Sequence, residues 1–257
     1  MIGQLVTITV AGPIYLALSV FSSAKTVGYE NIMVDTADLE VLSLTSVVTY
    51  FVPTFMMVLP ALGVLSQRGN YFVIALWQPF PLYSSIVQPI LKKALQASDW
   101  KPKETANELE RSLRRVYRFI IALGAGVHII TLAIALASHL VPGMPTISAA
   151  KILLPTSLTD PPIAKLMEAP VSKSAQMQIV GNFLRWDIFC ACASFVVWAA
   201  YQKSRANTTA TVSQTILQVA FWTVVGGPLT PAAVLLRDRD MAIIKAKQVS
   251  HQTSKSQ

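Results

Sequence analysis

Apolar residues along this chain gather into long runs separated by shorter polar segments. Six runs stand out, at residues 2–21, 41–65, 71–91, 117–141, 178–201 and 215–236. Each approaches the ~20 residues that an α-helix needs to cross a bilayer core. Between the third and fourth runs lies a polar insertion, 92–116, carrying Lys92, Lys93, Lys101, Lys103, Arg111, Arg114 and Arg115. Its middle, KETANELERSLRRVY, places acids before bases and predicts a surface helix meeting the lipid headgroups. Residues 237–257 hold Arg237, Arg239, Lys245 and Lys247 and read as a polar tail.

Basic segments flanking membrane spans favour the cytosol, so the insertion and the tail should share that side. Three clear runs separate them, an odd number. One further crossing within 141–177 restores parity. That stretch is only mildly apolar and contains Lys151, Pro155, Asp160, Pro161 and Pro162, so it could cross only inside a bundle. The favoured reading has seven helices, six clear and one weak, with the tail inside and the Asn207-Thr208-Thr209 sequon outside. Six spans, with one basic segment misplaced, is the alternative.

Composition agrees. Of 257 residues, 53% are hydrophobic and 13% charged, against about 25% charged in soluble domains. The mean hydropathy is +0.51. The expected fold is all-α, a polytopic transmembrane helix bundle forming a single domain over 1–257, in a membrane of the endoplasmic reticulum. The net charge of +8 sits between apolar runs, where it sets orientation, so no nucleic-acid partner is expected. Cys190 and Cys192 lie two residues apart and point to different faces, which favours neither a disulfide nor a metal site. The first run has no basic leader and is too long for a signal-peptide core, so it reads as a retained span.

Chemistry in such a chain is sought where polar groups are costly. Asp187 is the one carboxylate well inside a clear run, about 13 Å along its helix at 1.5 Å per residue. An acid placed there, away from water, is suited to proton donation; the plainer role is pairing with a neighbouring helix. Gln178, Asn182 and Arg185 form a second polar stripe on that helix, a candidate contact for a substrate oxygen. His128 shares a face with Gly124 and Thr131, which suits packing as much as base catalysis. Prolines break several runs: Pro53 and Pro60 in the second, Pro79, Pro81 and Pro89 in the third, Gly226-Gly227-Pro228 and Pro231 in the last. Broken helices often line cavities. Trp77, Gln78 and Trp222 near these breaks are candidate substrate contacts, since aromatic faces attract cations. The acidic loop with Glu30, Asp35, Asp38 and Glu40 is too loosely spaced for a Mg²⁺-diphosphate site, and neither metal nor cofactor is expected.

Three phrases then fall in order: ALWQPFPLY in the third run, FLRWDIF followed by VVWA in the fifth, and GGPLTPAAVLL before the charged end. Together they resemble a family of small fungal membrane proteins of secondary metabolism, including terpene cyclases of meroterpenoid and indole-diterpene pathways. The resemblance covers about residues 41–240. It implies a seven-helix bundle that cyclises a lipophilic prenylated substrate dissolved in the membrane lipid, often epoxidised by an upstream epoxidase, without metal or diphosphate loss. It also implies Asp187 as the acid. The run Arg237–Asp240 departs from the aromatic-plus-acidic ending of relatives, and nothing is carried over from it. The accompanying base remains open among Glu40, Asp160, Glu168 and His128. A non-catalytic transporter or scaffold of the same kind of pathway is the competing reading.

Overall fold

The computed structural model describes residues 8–22, 28–57, 59, 63–98, 105–142, 146–150, 173–206 and 210–255. All regular elements among them are helical, and no strand occurs. The chain divides into two compact units, one of Val27–Phe119 with Asp240–Gln257, the other of Ile2–Thr26 with Ile120–Arg239.

In the first unit, α2 (Thr36–Ser46) follows a short 3₁₀ turn at Tyr29–Asn31; α1 (Ile8–Ser22) belongs to the second unit. Asp35 caps α2, its Oδ1 accepting from the Ala37 N–H at 2.8 Å. A π-turn at Val47–Phe51 then leads into α3 (Val52–Met56). Pro53 explains the widening. It cannot donate to the carbonyl of Thr49 and crowds it, so the Val52 N–H reaches back to Val47 instead. α4 (Gln67–Trp77) and α5 (Phe80–Ala97) divide the third apolar run at Gln78–Pro79. Pro79 and Pro81 have no N–H to continue α4, but proline is tolerated in the first turn of a new helix. α2 packs along α5, with the Thr49 and Ser84 hydroxyls 2.8 Å apart and Lys92 reaching both Asp35 and Asp38.

α6 (Ala106–Leu140) unites the expected surface helix with the fourth run. No breaker separates Val116 from Tyr117, and Glu108–Arg111 and Glu110–Arg114 pairs support its first turns. The tail likewise is helical: α9 (Thr230–Lys255) continues from the last apolar residues through most of it.

In the second unit, α1 (Ile8–Ser22) packs against α7 (Lys173–Arg205), where the Trp198 indole N–H donates to Ser19 Oγ at 3.0 Å. Ala199, Ala232 and Leu235 form a buried core between α7 and α9. α8 (Val212–Gly226) ends where Gly227 adopts φ +80°, so the sixth run is bent at Gly227-Pro228-Leu229 before α9 begins. The corner is tight. A Cβ on Gly226 would meet Thr230 Cγ2 at 2.7 Å, whereas one on Gly126 would meet nothing within 4 Å. Gly226→Ala should therefore destabilise the protein by about 1–3 kcal/mol in thermal unfolding in detergent. Gly126→Ala should be neutral or slightly stabilising.

Three helical stretches are long and apolar enough to cross a membrane: Tyr29–Met56, Ala106–Leu140 and Gly181–Arg205. Ala11–Phe21 and Val212–Gly226 are shorter apolar helices. Phe21, Val197, Leu217 and Val224 project outward as lipid-facing residues would. The weak crossing within 141–177 falls largely outside the described residues. So do Pro60, Asp160, Glu168 and the Asn207 sequon.

Candidate functional site

In the first unit one stretch of α6 holds two carboxylates from other helices. Ser112 Oγ donates to Glu40 of α2 at 2.7 Å, and Arg115 pairs with the same carboxylate. Two residues on, the Tyr117 hydroxyl donates to Asp240 of α9 at 2.6 Å. From Ser112 to Phe119 the helix rises only about 10 Å. Asp240 is buried, 4% exposed. Glu40, ion-paired and hydrogen-bonded, can only accept further hydrogen bonds.

An aromatic run begins two residues further along this stretch, at Phe119. The Phe119 ring lies 6.4 Å from Phe51, and Phe51 lies 5.1 Å from Tyr50. Tyr50 in turn meets Phe80 at 4.9 Å and Trp77 at 5.8 Å, and Trp77 meets Phe80 at 5.6 Å. Both interruptions of the helices build this cluster. The π-turn rotates Tyr50 and Phe51, and the Pro79 break brings Phe80 back beside Trp77. Trp77 is further held by its indole N–H, which donates to Thr54 Oγ1 at 3.0 Å. Gln78 occupies the break itself and is exposed.

Beside Glu40 an open apolar groove of about 290 Å³ runs between α2 and α5, lined by Val41, Leu44, Leu91 and Leu95. Near its polar end, Lys92 binds Asp35 at 2.7 Å and Asp38 at 2.8 Å. These hydrogen bonds, and then the carboxylate charges, raise the Lys92 ammonium above its ordinary range.

The second unit holds the other residues singled out in the sequence. Asp187 is half-buried on α7, on the line that continues through buried Ala191 to Trp198. Arg185 Nη1 donates to Asn182 Oδ1 at 3.3 Å, so these two engage each other. His128 Nε2 lies 3.1 Å from the Val224 carbonyl, and a Cβ on Gly227 would touch the imidazole at 3.0 Å. His128 thus clamps α6 onto the α8 corner. Trp222 packs edge-on to Phe221. Among the described residues no three His, Cys, Asp or Glu side chains converge as metal ligands would.

A buried polar knot ties α7, α8 and α9 together. Lys203 Nζ donates to Gln218 Oε1 at 2.8 Å and to Asp238 Oδ2 at 3.1 Å, and Gln218 Nε2 donates to the same oxygen at 2.7 Å. Arg237 takes the other Asp238 oxygen at 2.9 Å. Burial pushes the Asp238 carboxyl up, but these hydrogen bonds and the Lys203 charge outweigh it and hold it below its ordinary 3.8.

Asp240 is not among the residues that the sequence reading selects. A signal existed: it lies four residues after Leu236 and four before Ile244, on the apolar stripe of α9 that also carries Ala233 and Ile243. A carboxylate on such a stripe is buried by the same packing as its neighbours.

Comparisons with known proteins follow the same direction. The CtvD domain model matches residues 1–244. Terpene cyclase atmA of Aspergillus flavus is 24% identical over 200 residues, covering 76% of this chain and 52% of that protein. The chain thus spans about half the length of this curated relative. No solved structure matches it.

Proposed function

This chain belongs to the CtvD-domain family, and on that premise we propose that it is a multi-pass membrane terpene cyclase of the endoplasmic reticulum. It isomerises a prenylated, epoxidised substrate delivered through the lipid by an upstream epoxidase. The observation that carries the reading is the stretch Ser112–Phe119 of α6, which gathers two carboxylates and the start of an aromatic run in one unit.

Each part has a chemical task. Asp240, sheltered from water, gives its proton to the epoxide oxygen, so the proton is not lost to solvent. The Tyr117 hydroxyl steadies the carboxylate that remains. As the C–O bond opens, positive charge moves along the prenyl chain and is met by the faces of Tyr50, Trp77 and Phe80. Glu40, anionic beside Arg115, accepts the terminal proton, either from carbon or from the oxonium formed when an internal hydroxyl closes the ring. The product is an isomer of the substrate. No diphosphate departs, and the proton comes from the chain. Asp187, the acid implied by the resemblance, is the rival donor.

Microsomes containing the protein, supplied with an epoxy-prenyl aromatic compound, should convert it to a cyclic isomer of unchanged mass. Absence of conversion would favour a transporter or scaffold. In the same assay Trp77→Leu should lower turnover about tenfold, the loss of one cation–aromatic contact. Trp77→Phe keeps a ring without the indole N–H and should retain most activity. Equal loss in both would assign Trp77 to its bond with Thr54 instead.

A further inference from the structure

The polar end of the first unit is drawn together by a chain of contacts. Lys92 at the end of α5 holds Asp35 and Asp38 at the start of α2, and Glu40 in the next turn holds Ser112 and Arg115. Gln248 of α9 donates to Asn107 at 2.9 Å and to Glu110 at 3.2 Å, near the start of α6. Lys247 Nζ lies 5.8 Å from the centre of the Tyr29 ring. Four helices and the Tyr29–Asn31 turn therefore meet at one place.

Charge at this end is unbalanced. Among the described residues Asp35, Asp38, Glu40, Glu108 and Glu110 are ion-paired and Asp240 is held by Tyr117, leaving Glu30 as the exposed exception. Lys93, Arg118, Lys245 and Lys247 are exposed and have no acidic partner among the described residues. Lys247 faces Tyr29, which lines an open depression of about 230 Å³ together with Met33, Asp35, Thr36 and Thr105. Thr36 is 5% exposed, and its hydroxyl has no hydrogen-bond partner. Met33 and Val34, at the same depression, are 61% and 49% exposed.

We propose that this end binds the headgroup of an anionic phospholipid. Surplus cations attract its negative charge. Exposed apolar side chains beside lysines suit the boundary between headgroup and acyl chain better than they suit water. The unpartnered Thr36 hydroxyl and that of Thr105 offer donors to phosphate or carboxylate oxygens. The proposal rests on the membrane reading above, but not on the cyclase reaction.

The test uses the full chain purified in neutral detergent, with retained lipid read by native mass spectrometry. Phosphatidylserine should be retained at least about tenfold over phosphatidylcholine, since each near-surface cation contributes about a fivefold change. Replacing Lys93, Arg118, Lys245 and Lys247 together by Gln should abolish that preference, and Thr36→Val should weaken phosphatidylserine retention several-fold. Equal retention of both lipids, or a preference that survives the four substitutions, overturns the proposal. Unchanged retention in Thr36→Val removes the depression as the seat. Displacement of the lipid by equimolar O-phosphoserine overturns it in favour of a soluble phosphate. Protein that resists carbonate extraction yet shows no preference ends this proposal alone; protein released by carbonate ends the membrane reading too.

Discussion

Asp240→Asn should lower microsomal cyclisation by at least about a hundredfold while the protein still inserts and accumulates, because general acid catalysis is worth 10²–10⁴. Asparagine keeps the shape and can still accept from Tyr117, but it has no carboxyl proton to give. Tyr117→Phe, which removes only the steadying hydroxyl, should cost less, about tenfold, and should shift the pH profile of turnover. Asp187→Asn in the same microsomes decides between donors. The proposed assignment requires it to retain substantial turnover. If Asp187→Asn is inactive and Asp240→Asn is not, the proton comes from α7 and the first unit's acid pair is structural.

The second large effect concerns stability. Asp238→Leu leaves the ammonium of Lys203, 8% exposed, with its carboxylate removed. Breaking a buried pair on one side typically costs on the order of 3 kcal/mol, read as a lowered unfolding temperature in detergent. Pairing Asp238→Leu with Lys203→Met should recover much of that loss, because neither charge is then stranded. Asp238 also sets a pH dependence. Its folded-state carboxyl lies below the ordinary 3.8, so its contribution is present above that value and fades as pH falls through the lower folded value. Wild type should lose stability in that acid window, and the double variant should lose less there. Identical acid profiles in the two proteins would remove Asp238 as the source.

Much of this architecture was legible beforehand, for local reasons. Long apolar runs become long helices because no nearby water can take their backbone hydrogen bonds. Pro53, Pro79 and the Gly227-Pro228 corner mark interruptions because proline lacks an N–H and glycine tolerates a positive φ. Trp77 lies beside such a break and packs with Tyr50 and Phe80. Two boundaries differ between sequence and structure. The basic insertion and the fourth run form one helix, and the tail continues α9, since polarity changes at those points while helix propensity does not.

The candidate site was less legible. The sequence places Asn182 and Arg185 on one polar stripe, and in the structure they engage each other. His128, a candidate base in the sequence, clamps a corner. Asp240 stands in a charged run of the sequence and is buried against Tyr117. For His128 and Asp240 the deciding fact is which side chain or carbonyl stands opposite, about 3 Å away and many positions distant in the chain. The order of residues dictates helix length, breaks and charge placement, because those depend on covalent neighbours and on the surrounding medium. Pairings such as Tyr117 with Asp240 or Lys203 with Asp238 come into being only when helices pack, because a hydrogen bond depends on distance and angle across that packing.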